Sequence, residues 1–489
     1  MTGAPDLRLD SGAGRGVLAA AVLASGVAFL DGTVVNTALP AISNDLDASL
    51  ADLQWVISAY LLTLGAFLVL GGSLGDHFGR RRVLIWGLVG FGVTSALCGL
   101  APSTGVLIGA RAAQGIAAAL MVPGSLAIVQ SSFRPVDRGR AIGMWSGLSG
   151  VSLALGPFLG GWLIDSFSWR LVFFVNVPLI VVTMLMAMRY VPETRDPTAS
   201  ERIDWLGGTV LVVGLGAGVY ALIEGPANGW SAGVTVLELV GVVALVLFVV
   251  IERRVAHPMV PLSMFRSRQF SGANAVTLLF YAALSGVLFL LVVHLQTDMG
   301  YSALEAGSAL LPVTVCSLLL SPRMGALSQR IGPRIPMAVG PLIAGSGMVL
   351  LRLAEPGRSY WVAVLPGAIV LGLGLSVTVA PLTTAVLAAA GDEHAGIGSA
   401  INNAVARVAG LLAIAILPAA AGLTTSGRSL DLVDGFGKAM TICAVACALG
   451  GLVGAALIRT GVPTRALRRA DVTIPCPSPY VSDSAADAA

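Results

Sequence analysis

Long apolar stretches broken by short polar gaps recur along the whole chain. Most hold 18 or more residues with few charges. As a helix rising about 1.5 Å per residue, such a stretch crosses a hydrocarbon core about 30 Å thick. Lipid offers no partner to a free backbone N–H or C=O, so a helix that satisfies its own backbone is the natural spanning element. The pattern predicts an all-α integral membrane protein with fourteen spans, at 16–39, 52–72, 83–101, 104–129, 141–164, 170–190, 205–223, 233–251, 271–295, 305–322, 335–353, 360–385, 397–421 and 437–458.

Composition agrees. Of 489 residues, 11% are charged and 56% hydrophobic, with a mean hydropathy of +0.87; a soluble chain carries about a quarter charged residues. With the N-terminus inside, 22 of the 29 Lys and Arg fall on the inner side and 5 on the outer, while Arg111 and Arg407 lie within spans. The positive-inside rule then puts both termini in the cytoplasm, as in a multi-pass protein of the cytoplasmic (inner) membrane. The basic residues are spread over loops, which argues against a nucleic-acid partner. Residues 1–15 read as a cytoplasmic tail. From 459 to 489 a basic stretch with Arg465, Arg468 and Arg469 gives way to Pro, Ser and Asp, the composition of a surface anchor followed by disorder. The first apolar run is too long for a cleavable leader, and no small-residue cleavage site follows it. Five cysteines show no paired spacing; Cys443 and Cys447, one helical turn apart, have no His or acid near them in sequence and read as helix packing, not a metal site.

One gap stands apart, Gly72-Ser-Leu-Gly-Asp-His-Phe-Gly-Arg-Arg-Arg82. Asp76 can accept bonds from an arginine or a helix N-terminus, while Gly72 and Gly79 permit close backbone approach and a tight turn. Such a loop can latch helices together; the plainer reading is a positive loop on the inner side. A degenerate copy, Gly325-Ala-Leu-Ser-Gln-Arg-Ile-Gly-Pro-Arg334, lies in a corresponding gap. Two related loops in corresponding places indicate a repeat: residues 16–190 and 271–458 as six-helix halves, and 205–251 as two helices inserted between them.

The order of Gly, Leu, Asp, Gly and Arg in 72–82 resembles the signature between helices 2 and 3 of the major facilitator superfamily of secondary transporters, with His77 in a usual Arg position. Six plus two plus six spans resembles its 14-span drug:proton antiporter branch. So do Leu30-Asp-Gly-Thr-Val-Val-Asn-Thr-Ala-Leu-Pro-Ala-Ile42, Trp55 with Tyr60, and Trp169-Arg-Leu-Val-Phe-Phe-Val-Asn-Val-Pro178. The stretch 252–270 (Pro258, Leu262, Phe265, Arg268) and Gly398-Ser-Ala-Ile-Asn-Asn-Ala-Val-Ala-Arg407 fit the same branch. The resemblance covers roughly residues 16–458. It implies the major facilitator fold and a cytoplasmic latch of Gly72, Asp76, Gly79, Arg80 and Arg81. Arg111-Ala-Ala-Gln-Gly115 matches the fourth-helix motif linked in that family to proton coupling, which brings in Gln114. Residues 147–161, ending Gly156-Pro157-Phe-Leu-Gly160-Gly161, match the fifth-helix antiporter motif, with Ser152 where a Gly is usual. That motif implies a rocking hinge and inner seal, because Pro157 removes a helix hydrogen bond and the glycines let helices touch. In isolation the same residues read as generic small-residue packing.

Buried charges are the mechanistic candidates. A charge at mid-membrane costs at least about 2.5–3.5 kcal/mol on insertion scales, so it needs a partner, a cavity or a function. Asp31 and Arg111 fall at similar depth, where they can pair or share a water chain; a static structural pair is the alternative. Asp31 is the expected proton carrier. Arg407 sits near the middle of its span, with Asn402 and Asn403 below it, in reach of the latch or of backbone carbonyls; a structural and a functional role both stay open. Glu224 and Glu238 are expected to reach for water, and His294 to be solvated or at a helix end. Met121, Met144, Phe158 and Phe174 are candidates to touch an apolar substrate, though most Met and Phe here face lipid or helices.

The expected function is proton-coupled efflux of lipophilic drugs or natural-product antibiotics by alternating access. Its partners are protons, a small lipophilic substrate and the bilayer, and the protein is expected to be a monomer. No cofactor, catalytic residue or metal is expected. The absence of a Gly-x-x-x-x-Gly-Lys-Ser/Thr loop argues against direct ATP drive. A proton-symporting uptake permease is the first rival, disfavoured by the fifth-helix motif. A membrane-integral enzyme acting on lipid is the second; it needs clustered ligands or a triad, and histidines at 77, 257, 294 and 394 are scattered.

Overall fold

The computed structural model describes residues 7–195, 204–255, 258, 260–390, 395–423 and 433–459. The tail expected beyond Arg459, the first six residues, His257 and His394 lie outside the described residues. Helices dominate, and among the described residues the only β pairing is an isolated bridge between Leu7 and Phe133.

The first six long helices are α1 (Gly12–Leu46), α2 (Leu50–Phe78), α3 (Arg80–Gly99), α4 (Thr104–Ser132), α5 (Pro135–Ser166) and α6 (Leu171–Phe174 continuing as Asn176–Tyr190). Two more follow, α7 (Trp205–Asn228) and α8 (Ala232–Arg254). The last six are α9 (Arg268–Thr297), α10 (Ala303–Ser308 continuing as Leu311–Ile331), α11 (Arg334–Leu350), α12 (Tyr360–Ala363 continuing as Leu365–Ala390), α13 (Ala395–Ala420) and α14 (Val433–Leu457). Thirteen described helices are long and apolar enough to cross a membrane. The fourteenth expected span falls on α5, a single helix of 32 residues.

Local chemistry sets the boundaries. Ser11 caps α1 by accepting the Gly14 N–H, and Ser49 with Asp52 forms a capping box at the start of α2. α1 runs through Pro40 to Leu46 instead of ending at residue 39, and stops where Asp47 turns left-handed at φ 51°. The apolar pattern marks where lipid begins and ends, and a helix can continue beyond it into water.

The two sets of six helices pack alike. In the first, α1 lies on α5 and α6, α4 on α2 and α3, and α3 on α6. In the second, α9 lies on α13 and α14, α12 on α10 and α11, and α11 on α14. These are the same five pairings in the same order. The two linking loops also correspond. Gly79 (φ 109°) joins α2 to α3 and Gly332 (φ 81°) joins α10 to α11, both at backbone angles that favour glycine. Arg81 then donates to the Val191 carbonyl just past α6 (3.3 Å), and Arg334 to the Ala455 carbonyl in α14 (2.8 Å).

The halves meet along α2–α13, α5–α10 and α1–α9, while α7 and α8 pair with each other and α7 lies against α2 and α13. Call the end of the bundle where α1 begins the near end, and the opposite end the far end. One buried apolar core runs continuously through both halves toward the far end, from Val34 and Leu39 to Leu290, Leu310 and Leu417. Toward the near end there are two separate cores, one around Phe91 and Val129, the other around Phe270 and Leu382. The apolar core shared by the halves therefore lies toward the far end, while toward the near end each half keeps a core of its own.

Candidate functional site

The most deeply buried ionic group is built on five helices. Asp31 stands in the middle of α1 and Arg111 two turns into α4; both side chains are at most 1% exposed. Arg111 Nη1 donates to Asp31 Oδ2 at 2.6 Å and to Gln114 Oε1 at 2.7 Å, while its Nε donates to the Val56 carbonyl at 3.1 Å. Gln114 Nε2 donates to Asp31 Oδ1 at 3.0 Å. Asn176 Nδ2 donates to the same oxygen at 2.9 Å and to Ser95 Oγ at 3.0 Å. The guanidinium lies over the ring of Tyr60, 4.2 Å from its centre.

Local sequence places these groups. Gln114 follows Arg111 by three residues, so both share one face of α4. Gly115 lets that face approach α2: a Cβ there would stand 2.1 Å from Thr63 Oγ1 and 2.4 Å from the Tyr60 carbonyl. Asn176 begins the longer part of α6 just after an interruption at Val175. Pro178, two residues on, has no N–H to bond the Phe174 carbonyl, which favours a break there. Both carboxylate oxygens of Asp31 are thus bonded inside the protein, as a charge removed from water requires.

The segment 72–82, read from the sequence as a loop, is helical except at Gly79 and forms a second cluster. Asp76 pairs with Arg80 at 2.7 Å. Glu193, just past α6, accepts the Arg81 N–H at 3.2 Å and stands 3.8 Å from the guanidinium groups of Arg81 and Arg82. Arg80 N donates to the Thr194 carbonyl at 3.0 Å.

A third cluster lies at the far-end seam of α5 and α10. A Cβ on Gly161 would stand 2.4 Å from the Ala303 carbonyl, and one on Gly307 would stand 2.1 Å from the Pro157 carbonyl. Asp165 accepts the N–H groups of Ala303 (3.1 Å) and Leu304 (2.8 Å).

A family model described as Major Facilitator Superfamily matches residues 21–414. The chain belongs to the major facilitator superfamily. Its structure is similar to a crystal structure of the peptide transporter POT in complex with sulfate, with a TM-score of 0.67 at 15% identity over 92% of this chain and 96% of that one. It is also similar to a bacterial homologue of the human lysosomal transporter Spinster in an inward-facing state, with a TM-score of 0.63 at 16% identity over 90% and 95% of the two chains. Among curated relatives, the puromycin resistance protein pur8 of Streptomyces alboniger is 37% identical over 444 residues, 88% of this chain and 87% of that one. The multidrug resistance protein Stp of Mycobacterium tuberculosis is 36% identical over 391 residues, 80% and 72%. The tetracenomycin C resistance and export protein of Streptomyces glaucescens is 36% identical over 389 residues, 79% and 72%. This is a multi-pass membrane transporter with the major facilitator fold, two additional helices lying between its halves, and not an enzyme.

Within that fold the expected residues divide. Asp31, Arg111 and Gln114 come together; Asn176, Ser95 and Tyr60 complete their cage. Asn176 and Tyr60 were visible as motif positions, but Ser95 left no signal in the sequence. In the loop, Asp76, Gly79, Arg80 and Arg81 form one cluster, and Glu193 is the member the sequence concealed. Gly72 does not provide the expected close approach. A Cβ there would meet Pro123 at an ordinary 3.6 Å, whereas one on Gly71 would stand 2.1 Å from the Ala119 carbonyl, so Gly71 sets the α2–α4 contact.

Gly156 and Gly160 pack on Thr33 and Val34 of α1, and Gly161 on α10. With Pro157 they close the far end, not the near, because α5 begins at the near end and has crossed more than half its length by Gly156. The missing Gly at Ser152 has its counterpart across the contact, where a Cβ on Gly26 would stand 2.6 Å from Ser152 Oγ.

Among the described residues, Arg407 reaches neither the latch nor a backbone carbonyl. It lies on α13 at mid-bundle, its guanidinium carbon 5.7 Å from the ring centre of Phe29. His294 is at a helix end but buried. Its Nδ1 lies 2.5 Å from Asp298, its Nε2 2.7 Å from the Ala354 carbonyl, and its ring stacks on Phe436. Chain folded over the end of α9 leaves His294 only 1% exposed, where a solvated side chain is one of the expectations. Glu224 bonds Trp55 Nε1 (3.0 Å) and Asn228 (2.6 Å) in place of simply reaching water. Met121 is fully buried in the first half and unavailable to a substrate, while Met144 and Phe158 stay exposed.

Proposed function

We propose that this transporter exports lipophilic drugs or natural-product antibiotics across the cytoplasmic membrane, exchanging each for inward-moving protons by alternating access. The near end is cytoplasmic on this reading, since most Lys and Arg lie there. The single observation that carries proton coupling is the caged carboxylate of Asp31. An acid with Arg111 on one oxygen and two amide donors on the other can exchange charge stabilisation for a proton when the cage loosens. A shared apolar core toward the far end and separate ones toward the near end support a state that loads substrate from the cytoplasm. The resistance and export names of the relatives support the direction and the substrate class. The protein works as a monomer, with exposed apolar residues such as Leu97, Leu239 and Val246 against lipid.

The test is transport in everted vesicles from a host lacking its own pumps, combined with a susceptibility panel. Substrate accumulation that collapses with a protonophore is expected, together with resistance conferred on cells. Uptake that sensitises cells instead would favour the permease, and gradient-independent accumulation would remove proton coupling.

A further inference from the structure

We infer that Arg407 reads the charge of the cargo, and that the seam between the halves accepts lipophilic molecules bearing an acidic group, such as a carboxylate or an ionised enol, in preference to lipophilic cations. This inference rests on the export reading above and names its substrate class.

Arg407 belongs to the second half, yet its head meets the first. Its guanidinium faces Phe29 of α1, and a Cβ on Gly65 of α2 would stand 3.3 Å from its Cβ. It therefore lies in the seam and not against lipid. Among the described residues it has no ion pair and no hydrogen bond, and its side chain is only partly covered. Arg111 at mid-bundle is fully covered, paired with Asp31, and bonded through its Nε and Nη1. A guanidinium at this depth without an anion leaves its planar fork of donors unused, and that fork fits a carboxylate bidentately. Asn403, one turn below on the same face of α13, is exposed, and its Nδ2 donates to the Ser399 carbonyl at 3.2 Å.

The complementary argument concerns Asp31. A mid-membrane acid invites a cationic cargo, but Asp31 is 0% exposed and both its oxygens are bonded internally. The charge offered to the seam is therefore positive. A lipophilic anion would place its ring system on the apolar faces around Phe29 and its charge on Arg407.

The experiment uses the full-length protein in nanodiscs and matched pairs of one molecule as free acid and methyl ester: nalidixic, fusidic and mycophenolic acids, with tetraphenylphosphonium as the cation. Binding is read by titration calorimetry. At least one acid is expected to bind about tenfold or more tighter than its ester, the scale of one charge-assisted pair. Arg407→Gln should erase that preference while the ester's affinity stays, and Arg407→Lys should restore part of it. A panel with no acid preferred over its ester, a preference that survives Arg407→Gln, or tetraphenylphosphonium as the tightest ligand would each overturn the inference. Protonophore-sensitive export of any panel member from cells tests the export reading separately, whatever Arg407 does.

Discussion

Asp165 caps Leu304. The carboxylate in the last turn of α5 takes the N–H of Leu304 at 2.8 Å and of its neighbour Ala303 at 3.1 Å, so one half holds the first turn of a helix in the other. An acidic acceptor at a helix start is favoured by its free N–H groups and by the helix dipole. Removing such an acceptor costs about 0.5–2 kcal/mol. Asp165→Ala should therefore shift the population toward far-end opening by roughly 2- to 30-fold. A cysteine at Thr37, buried at this seam where Gln296 bonds the Thr37 carbonyl, should label correspondingly faster with an impermeant maleimide. An unchanged rate would show that the cap does not hold the gate.

The latch works through Glu193 as well as Asp76. Both acids are partly solvated, so their ion pairs contribute little to stability, about 0–1 kcal/mol each. Their expected effect is on the balance between conformations, where about 1 kcal/mol is roughly fivefold. Asp76→Asn and Glu193→Gln should each lower transport on that scale with membrane insertion intact. Equal transport at equal expression would reduce the loop to a topology signal.

Asp31→Asn keeps the shape of the caged side chain and abolishes its ionisation. It should end proton-driven accumulation. Arg111→Ala should do more harm to the fold, because a buried carboxylate left without its partner costs about 3–5 kcal/mol. Substrate-induced proton release in vesicles separates the two. If Asp31→Asn still exchanges protons at the wild-type rate, coupling lies elsewhere and the cage is structural.

The contact between α2 and α4 gives a sharp steric test. Gly71→Ala places a methyl 2.1 Å from a backbone oxygen, and Gly72→Ala places one 3.6 Å from a proline side chain. The first should destabilise the protein by about 1–3 kcal/mol and the second hardly at all. Thermal unfolding in detergent measures both; equal midpoints would show that Gly71 does not set the α2–α4 contact.

Reporter fusions check the orientation. Signals at Asp196, His257 and Asp392 should be cytoplasmic, and those at Asn228, Pro356 and Ser429 external. An external signal at Asp196 or His257 would overturn the orientation and the placement of α7 and α8.

Much of this protein is legible without coordinates because lipid is a severe solvent. It forces each apolar run into a helix, so the order and rough extent of the spans follow from residue pattern alone. A constant rise per residue then fixes depth. That is why Asp31 and Arg111 could be matched across two helices, and why the loops at Gly79 and Gly332 could be recognised as equivalent. Depth is one coordinate only. Which way a side chain points around its helix, and which helix stands opposite, is decided by packing.

Only packing brought Asn176 and Ser95 to Asp31, set Glu193 beside Arg81 and made Gly71, not Gly72, the contact glycine. It likewise placed the α5 glycines at the far-end seam, covered His294 with the Ala354 carbonyl and Phe436, and left Arg407 facing Phe29 without a counter-charge among the described residues. The sequence by itself determined what could cross the membrane and at what level each charge would lie. The tertiary structure decided which charges were spent on each other and which remained available, because that depends on the azimuth of neighbouring helices, a quantity that no single helix encodes.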